Sequence, residues 1–200
     1  MKRFFTVVIA AAILAGCQTP TQYIDPSDRN TAQTPGLTYA DFQVAANQLT
    51  GEILASPLMV HPNTAGGERY VIHIEGVTND TMQRIDTDQL VKGMRVQLLN
   101  SGRFFITTAF DGSDNATREM RNLDNDPMVD QSTVQPDGTV IAPDFSLTGK
   151  ILQRNSNLDN DDTRVEYYFQ LTLTDLRTGL AYWEGERVIG KVTGQRGASW

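Results

Sequence analysis

The sequence predicts an α+β domain in which helices flank a small mixed β-sheet of about five strands. Two observations lead to this prediction. Residues 69–110 contain a strand, an amphipathic helix and a second strand, an order that makes the two strands parallel through a right-handed crossover. From residue 144 onward, strands of alternating apolar and polar residues follow one another across short turns, which is typical of antiparallel hairpins.

Residues 1–16 are predicted to be a signal peptide. Two basic residues precede an apolar run that ends at Leu14, and this run is shorter than the roughly 20 residues of a membrane-spanning helix. The stretch Leu14-Ala15-Gly16-Cys17 matches the bacterial lipobox, and this resemblance implies that Cys17 is diacylated and becomes the mature N-terminus. The less favoured interpretation is a soluble secreted protein with a chance cysteine at its cleavage site.

Residues 17–36 are predicted to form the lipidated N-terminus and a flexible tether, followed by a single globular domain over residues 37–200. The segment 18–36 is rich in Thr, Gln, Pro, Asp and Asn and has few large apolar side chains to bury. Gln18 follows the cysteine, at the position where an aspartate retains lipoproteins at the inner membrane in enteric-type sorting. We therefore expect the chain to be lipid-anchored in the outer membrane, facing the periplasm.

The net charge limits the classes of partner. Without Lys2 and Arg3, 15 of the 17 basic residues remain against 24 acidic ones, a net charge of −9. A surface of this sign does not suit the phosphates of a nucleic acid. It does not suit anionic lipid either, so the lipid on Cys17 is the membrane contact that we expect. Cys17 is also the only cysteine in the sequence, which leaves no partner for an intramolecular disulfide.

Capping signals and apolar spacing predict two main helices. Thr38 is a good N-cap and Asp41 completes an acidic capping box, while Pro57 ends the helix. The second helix is predicted to start at Asp86, with Gln89 completing its capping box, and to stop at residues 100–102. The buried stripes of the two helices comprise Phe42, Ala45, Ala46, Leu49 and Ile53, then Leu90, Val91, Met94, Leu98 and Leu99.

Alternation and turn residues predict the strands. They are expected over residues 69–77, 103–110, 145–153, 165–174 and 180–192, with a loop over 154–163 and a turn at 177–179. A short helix over 115–123, capped by Ser113 or Asp114, is expected in the least regular part of the chain. Residues 124–143 are acidic and contain three prolines, which indicates an extended excursion over the surface.

No arrangement of residues in the sequence predicts catalysis or a metal centre. The two histidines, His61 and His73, have no second histidine or cysteine at ligand spacing, so a zinc site is not expected. His73 is interpreted as a polar-face residue of its strand in preference to a catalytic base. The sequence contains neither a G-x-S-x-G elbow nor an S-x-x-K motif. We therefore expect neither an enzyme nor a bound cofactor.

One loop has a spacing that suits calcium. Counted from Asn155, oxygen-bearing side chains fall at positions 1, 3, 5, 7, 9 and 12 of the stretch that ends at Glu166. However, Asn155 replaces the first aspartate of such loops, Asn160 replaces their glycine, and strands rather than helices flank the stretch. The favoured interpretation is a solvated hairpin loop whose acidic side chains oppose edge pairing, and calcium binding is the alternative.

Four pieces of the C-terminal third form a pattern. They are residues 143–151 (PDFSLTGKI), 171–179 (LTLTDLRTG), 183–184 (WE) and 189–191 (IGK). Together with the lipobox, they resemble the penicillin-binding protein activator family of LpoB-type lipoproteins, over roughly residues 37–192. The resemblance implies a small α/β domain similar to the N-terminal domain of TolB, in agreement with the elements predicted above.

The resemblance also implies a function. Members of that family sit in the outer membrane, reach through the peptidoglycan and dock on an inner-membrane bifunctional penicillin-binding protein. Docking stimulates glycan polymerisation and transpeptidation, which is allosteric activation through a protein interface. We expect a monomer, and the family offers no short motif from which interface residues can be named.

An alternative function comes from a different class of protein. Similar α/β domains occur in curli-type secretion lipoproteins, which are structural or assembly components of outer-membrane secretion or surface-appendage complexes. A short tether suits such a partner at the same membrane. A stable symmetric ring in solution favours this assembly role, whereas a monomer favours the activator.

Overall fold

The computed structural model describes residues 23–30, 34–110, 114–136, 138–158 and 161–194, and these ranges contain three α-helices and five β-strands. The helices are α1 (Tyr39–Ala55), α2 (Asp88–Asn100) and α3 (Asn115–Arg121). The strands are β1 (Tyr70–Asp80), β2 (Phe104–Thr107), β3 (Phe145–Asn157), β4 (Thr163–Asp175) and β5 (Leu180–Thr193).

All five strands belong to one sheet, in the order β2-β1-β3-β4-β5. β1 runs parallel to β2 and to β3, whereas β3, β4 and β5 are successive antiparallel neighbours. The β-α-β unit predicted from the sequence is present, and so are the two predicted hairpins. The prediction of a mixed five-stranded α+β fold with flanking helices is confirmed.

The helix α1 forms where the sequence predicts it. Thr38 Oγ1 accepts a hydrogen bond from the Asp41 amide at 3.4 Å, and Asp41 Oδ2 accepts one from the Thr38 amide at 2.9 Å. This reciprocal pair satisfies amides that have no partner inside the helix. The helix ends at Ala55, ahead of Pro57, because proline lacks the amide hydrogen that a further turn requires.

The start of α2 corrects the sequence prediction. Asp86 and Gln89 do not form a capping box, because the helix begins at Asp88, two residues later than predicted. Thr87 occupies the N-cap position without a side-chain hydrogen bond, and Asp86 Oδ1 instead accepts one from the Asp88 amide at 3.0 Å. Aspartate thus closes a turn ahead of the helix, a local arrangement that competes with capping. Leu99, which was predicted to be buried, is 43% exposed.

Four strands differ clearly in length from the predictions. β1 extends to Asp80, beyond a bulge at Gly76, which adopts a φ of 130° that favours glycine. β2 stops at Thr107, because only its four residues pair with β1. β3 and β4 continue into the predicted loop 154–163 until Asn157 pairs with Thr163. β3 and β4 therefore pair over more residues than the polarity of their side chains suggests.

The segment between β2 and β3 is partly helical and folded on itself. Of the two predicted caps of α3, Asp114 is observed, with its Oδ1 accepting a hydrogen bond from the Ala116 amide at 3.1 Å, whereas Ser113 lies outside the described residues. Further along, a 3₁₀ turn spans Gln131–Thr133. Gln131 Nε2 donates to the carbonyls of Leu123, Asp126 and Val129. The sequence predicts an extended excursion here, whereas part of the segment is folded on itself by these local hydrogen bonds.

The helices α1 and α2 pack against one face of the sheet and form the core with it. Leu49 and Ile53 of α1 are 0% exposed, and Phe42 meets Phe169 of β4 edge to face at 6.0 Å. Along β4 the odd-numbered residues 165–173 are buried, so the even-numbered ones point away from the helices. We call this opposite side of β3, β4 and β5 the open face. Among the described residues, no helix has the length and apolar character needed to cross a membrane.

Candidate functional site

The open face presents its side chains in rows that run across three antiparallel strands. In the register of the sheet, Tyr168 of β4 lies between Leu152 of β3 and Val188 of β5. Val188 is 48% exposed, and the other two side chains are half-buried. Cross-strand neighbours on one face contact each other directly. The centre of the open face is therefore an apolar row with a tyrosine in its middle, which we call the Tyr168 row.

The rows on the side of the β4–β5 turn carry polar and charged groups. Gln170 lies between Lys150 and Glu186, and its Nε2 donates to Glu186 Oε2 at 2.7 Å. Lys150 Nζ lies 2.7 Å from Asp80 Oδ2 on the neighbouring strand β1. Glu184 belongs to the next row, and both β5 glutamates are exposed. Two carboxylates of β5 thus project from this side of the face.

The rows on the other side, toward the β3–β4 turn, hold a carboxylate between two arginines. Glu166 pairs in register with Arg154 and forms an ion pair with Arg164. Glu166 Oε2 also accepts a hydrogen bond from the Tyr168 hydroxyl at 2.9 Å, and this bond raises the pKa of the tyrosine. Gly190 completes the row on β5 and leaves open space, since nothing lies within 4 Å of the place of a Cβ.

This arrangement suits the recognition of a protein surface. An apolar centre bounded by polar and charged groups is the usual composition of a protein–protein interface. Hydrogen bonds already hold Tyr168 and Gln170 in place, so fewer side chains must be ordered when a partner binds. The two β5 carboxylates lie on one side of the Tyr168 row and the two arginines around Glu166 on the other, so the two sides differ in charge.

A hollow of about 840 Å³ lies on the other side of the sheet, between α1 and α2. Phe42, Ile74 and Val91 contribute apolar side chains to it, and amide and charged side chains of the two helices complete its lining. Neither a histidine nor a cysteine is among its described lining residues, so it presents no nucleophile–base pair of the usual kinds. The open face is the stronger candidate for function.

A protein-family model matches most of the domain that carries the open face. The model of the peptidoglycan-synthase activator LpoB matches residues 41–189, about three quarters of the sequence. This chain belongs to the LpoB family. The resemblance seen in the sequence is thereby confirmed. The family is described as that of a peptidoglycan-synthase activator, so membership supports an activator role.

Three solved structures are similar to this chain at low identity. The LpoB C-terminal domain from Salmonella enterica is 16% identical, with 74% of this chain and 98% of that chain covered and a TM-score of 0.44. The domain from Escherichia coli is 15% identical, with 76% and 99% covered and a TM-score of 0.44. Lipoprotein GNA1162 from Neisseria meningitidis is 15% identical, with 62% and 84% covered and a TM-score of 0.38. No curated protein matches significantly. Assignment to the LpoB family rests on the family model.

The predicted lipidation site is not part of the open face or of any described element. Cys17 and the rest of the lipobox lie outside the described residues. Acylation of this LpoB-family chain at Cys17 therefore stays a prediction from the sequence.

The stretch 155–166 does not have the geometry of a calcium loop. It is mostly sheet, because β3 continues to Asn157 and β4 begins at Thr163. Asn155 is in register with Val165, the residue before Glu166, so the first and last candidate ligands lie on opposite faces of the sheet. A calcium loop brings these two side chains to one ion. Residues 159 and 160 lie outside the described ranges.

The two histidines lie apart from each other and from the Tyr168 row. His61 follows α1, with its Nδ1 3.6 Å from Glu68 Oε2. His73 lies on β1, with its ring 6.2 Å from that of Phe110. In the part of the chain that the structure describes, no three His, Cys, Asp or Glu residues are grouped so that they could hold a metal ion.

Sequence reasoning did not single out the Tyr168 row. Alternation correctly puts Tyr168 on the same side of β4 as Glu166 and Gln170. Leu152 and Val188 become its neighbours only through the registers of β3 and β5, which residue spacing does not specify. The available signal was an aromatic residue among polar ones on the solvent side of a strand.

Proposed function

We propose that this LpoB-family chain is an outer-membrane lipoprotein that binds a bifunctional penicillin-binding protein and stimulates its synthesis of peptidoglycan. The observation that carries the proposal is the family match over residues 41–189, which spans the elements from α1 to β5. The chain itself is not an enzyme in this proposal, and it acts as a monomer.

The proposed location follows from the N-terminus. Cys17 carries the lipid, and Gln18 in place of aspartate directs the chain to the outer membrane. The net charge of −9 after residue 16 disfavours adhesion of the domain to anionic lipid, so the domain is free to meet a partner in the periplasm. The anchor and the tether therefore set how far the domain reaches.

The open face is the proposed docking surface. Tyr168 supplies a large amphipathic ring at the centre of the face, and tyrosine is among the residues that most often dominate binding energy. The charged groups on either side of the Tyr168 row provide orientation, because a partner must match carboxylates at one side and arginines at the other.

Activation in this proposal is a shift between states of the synthase. A regulator stimulates an enzyme only if it binds the active state more tightly than the inactive one. A tenfold preference corresponds to about 1.4 kcal/mol, which one well-packed aromatic side chain supplies. No atom of this chain needs to enter the catalytic sites of the synthase.

The test is glycan polymerisation by purified bifunctional synthases of the same organism, with and without residues 18–200 of this chain. Increased polymerisation that saturates with the concentration of this chain supports the proposal. The absence of both binding and stimulation with every such synthase rejects it. Size-exclusion chromatography of the same preparation shows whether the chain is a monomer or the ring that the assembly alternative requires.

A further inference from the structure

Lys191 binds the main chain of the segment that precedes α1. Its Nζ donates to the carbonyls of Thr34 at 3.1 Å and Gly36 at 2.5 Å, and to Asp41 Oδ2 at 2.6 Å. An ammonium group has three donors, and these three acceptors satisfy them all. The side chain of Lys191 is 18% exposed and that of Asp41 is 3% exposed, so the pair is largely shielded from water.

Two further side chains hold the same segment. Tyr167, which is 1% exposed, donates its hydroxyl to the carbonyl of Pro35 at 3.2 Å. Gln83 Oε1 accepts a hydrogen bond from the amide of Leu37 at 3.1 Å. Side chains of β4 and β5 therefore bind three consecutive carbonyls, 34–36. Partners of this kind compensate main-chain groups for lost water and fix the segment in one position.

We propose that Lys191, Tyr167, Gln83 and Asp41 form a peptide clamp whose ligand is the chain's own segment 34–37. The tether then ends at the clamp and not at the start of α1. If Cys17 carries the lipid, residues 18–33 connect it to the domain, and they span at most about 55 Å when fully extended. Arg29 lies 3.4 Å from Asp41 Oδ1, and the free length is shorter while this ion pair is formed. The clamp thus shortens the tether by three residues and gives it a defined point of exit.

The position of the clamp sets the end of the sheet at which the tether leaves the domain. Lys191 lies near the C-terminal end of β5, the end of the sheet that also holds the β3–β4 turn. The β4–β5 turn lies at the opposite end of the same strands. The tether therefore leaves the domain at the end of the sheet opposite the β4–β5 turn. On the proposed function, this arrangement keeps the Glu184 and Glu186 side of the open face clear of the tether for a partner.

Hydrogen–deuterium exchange of the non-acylated chain 18–200, read by mass spectrometry, tests the clamp without any synthase. The amides of residues 36–38 are hydrogen-bonded to Thr34 Oγ1, Gln83 Oε1 and Asp41 Oδ2. Lys191→Met keeps the aliphatic stem and removes the three donors. We expect exchange at these amides to rise about tenfold, while β3 and β4 keep their protection. Lys92→Met on the exposed side of α2 is the matched control and leaves exchange unchanged.

Tyr167→Phe is the second variant, because it removes one hydroxyl and keeps the buried ring. It is expected to raise exchange at the same amides and nowhere else, even if Lys191→Met unfolds the domain. The clamp is wrong if exchange at residues 36–38 is unchanged in Tyr167→Phe and in a folded Lys191→Met. It is also wrong if those amides exchange like an unstructured peptide in the unsubstituted chain. Neither result bears on stimulation of a synthase, so the two proposals fail separately.

Discussion

Asp41 Oδ2 lies 2.6 Å from Lys191 Nζ, and the same oxygen accepts the Thr38 amide at the start of α1. One carboxylate therefore serves both the capping box of α1 and an ion pair with β5. Burial by itself raises the pKa of Asp41, but hydrogen bonds from Lys191 and Thr38 outweigh it and hold the pKa below its ordinary value. A cap that is local in sequence is thus also a tertiary contact.

Asp41→Asn is expected to lower the free energy of unfolding by about 2–3 kcal/mol at pH 7, because it leaves Lys191 without its charged partner. A carboxyl group with a lowered folded pKa stabilises fully above its unfolded pKa of about 3.9 and loses that contribution as the pH falls through its folded pKa. The difference in free energy of unfolding between the unsubstituted chain and Asp41→Asn should therefore shrink below about pH 4. Urea unfolding at pH 7 and pH 3 measures this difference. An equal difference at both pH values contradicts the role given to the Asp41 carboxylate.

Gly185 of β5 lies under the indole of Trp183, and an added Cβ would overlap that ring and come within 3.2 Å of Leu49 Cδ2. Gly185→Ala is expected to lower the free energy of unfolding by about 1–3 kcal/mol, because a closely packed ring must move. Gly190→Ala on the same strand is the control, since open space surrounds its Cβ position. Thermal unfolding compares the two variants. Equal melting temperatures would show that Trp183 does not pack on Gly185.

Tyr168→Ala is expected to weaken binding to the synthase about tenfold or more and to reduce stimulation, because it removes the centre of the apolar row. Tyr39→Ala is the matched control, since Tyr39 is a 40% exposed tyrosine on the helix side of the sheet. Titration of each variant into the glycan polymerisation assay gives the apparent affinity, and circular dichroism checks the fold. If both variants lose affinity equally, the open face is not the docking surface.

Cys17→Ala is expected to release the chain from the membrane without changing the stability of its domain. Cys17 precedes every described element in the sequence, and the role predicted for it is to carry the lipid. Fractionation of cells locates the protein, and thermal unfolding of the purified chain measures its stability. Persistence of the variant in the membrane fraction would contradict acylation at this cysteine.

Predictions from the sequence succeeded where the deciding interactions are local. Thr38 and Asp41 are three positions apart, and the alternation along β4 depends only on neighbouring residues, so both could be predicted. The predicted start of α2 was wrong, although the interactions that set it are also local. The carboxylate of Asp86 can either cap the helix or close a turn ahead of it, and the sequence does not indicate which of the two forms.

By itself, the sequence determined the fold class, the β-α-β unit followed by hairpins and the resemblance to the LpoB family, and it predicts the lipid anchor. The elements and the lipobox depend on residues that lie close together along the chain, and the resemblance depends on the order of several such short stretches. The tertiary structure decided the Tyr168 row and the clamp. Leu152, Tyr168 and Val188 meet only through strand register, and Lys191 reaches a carbonyl 157 positions away because β5 ends beside the start of α1. The side chains of the Tyr168 row and of the clamp are therefore brought together by the register of distant strands and not by local propensity.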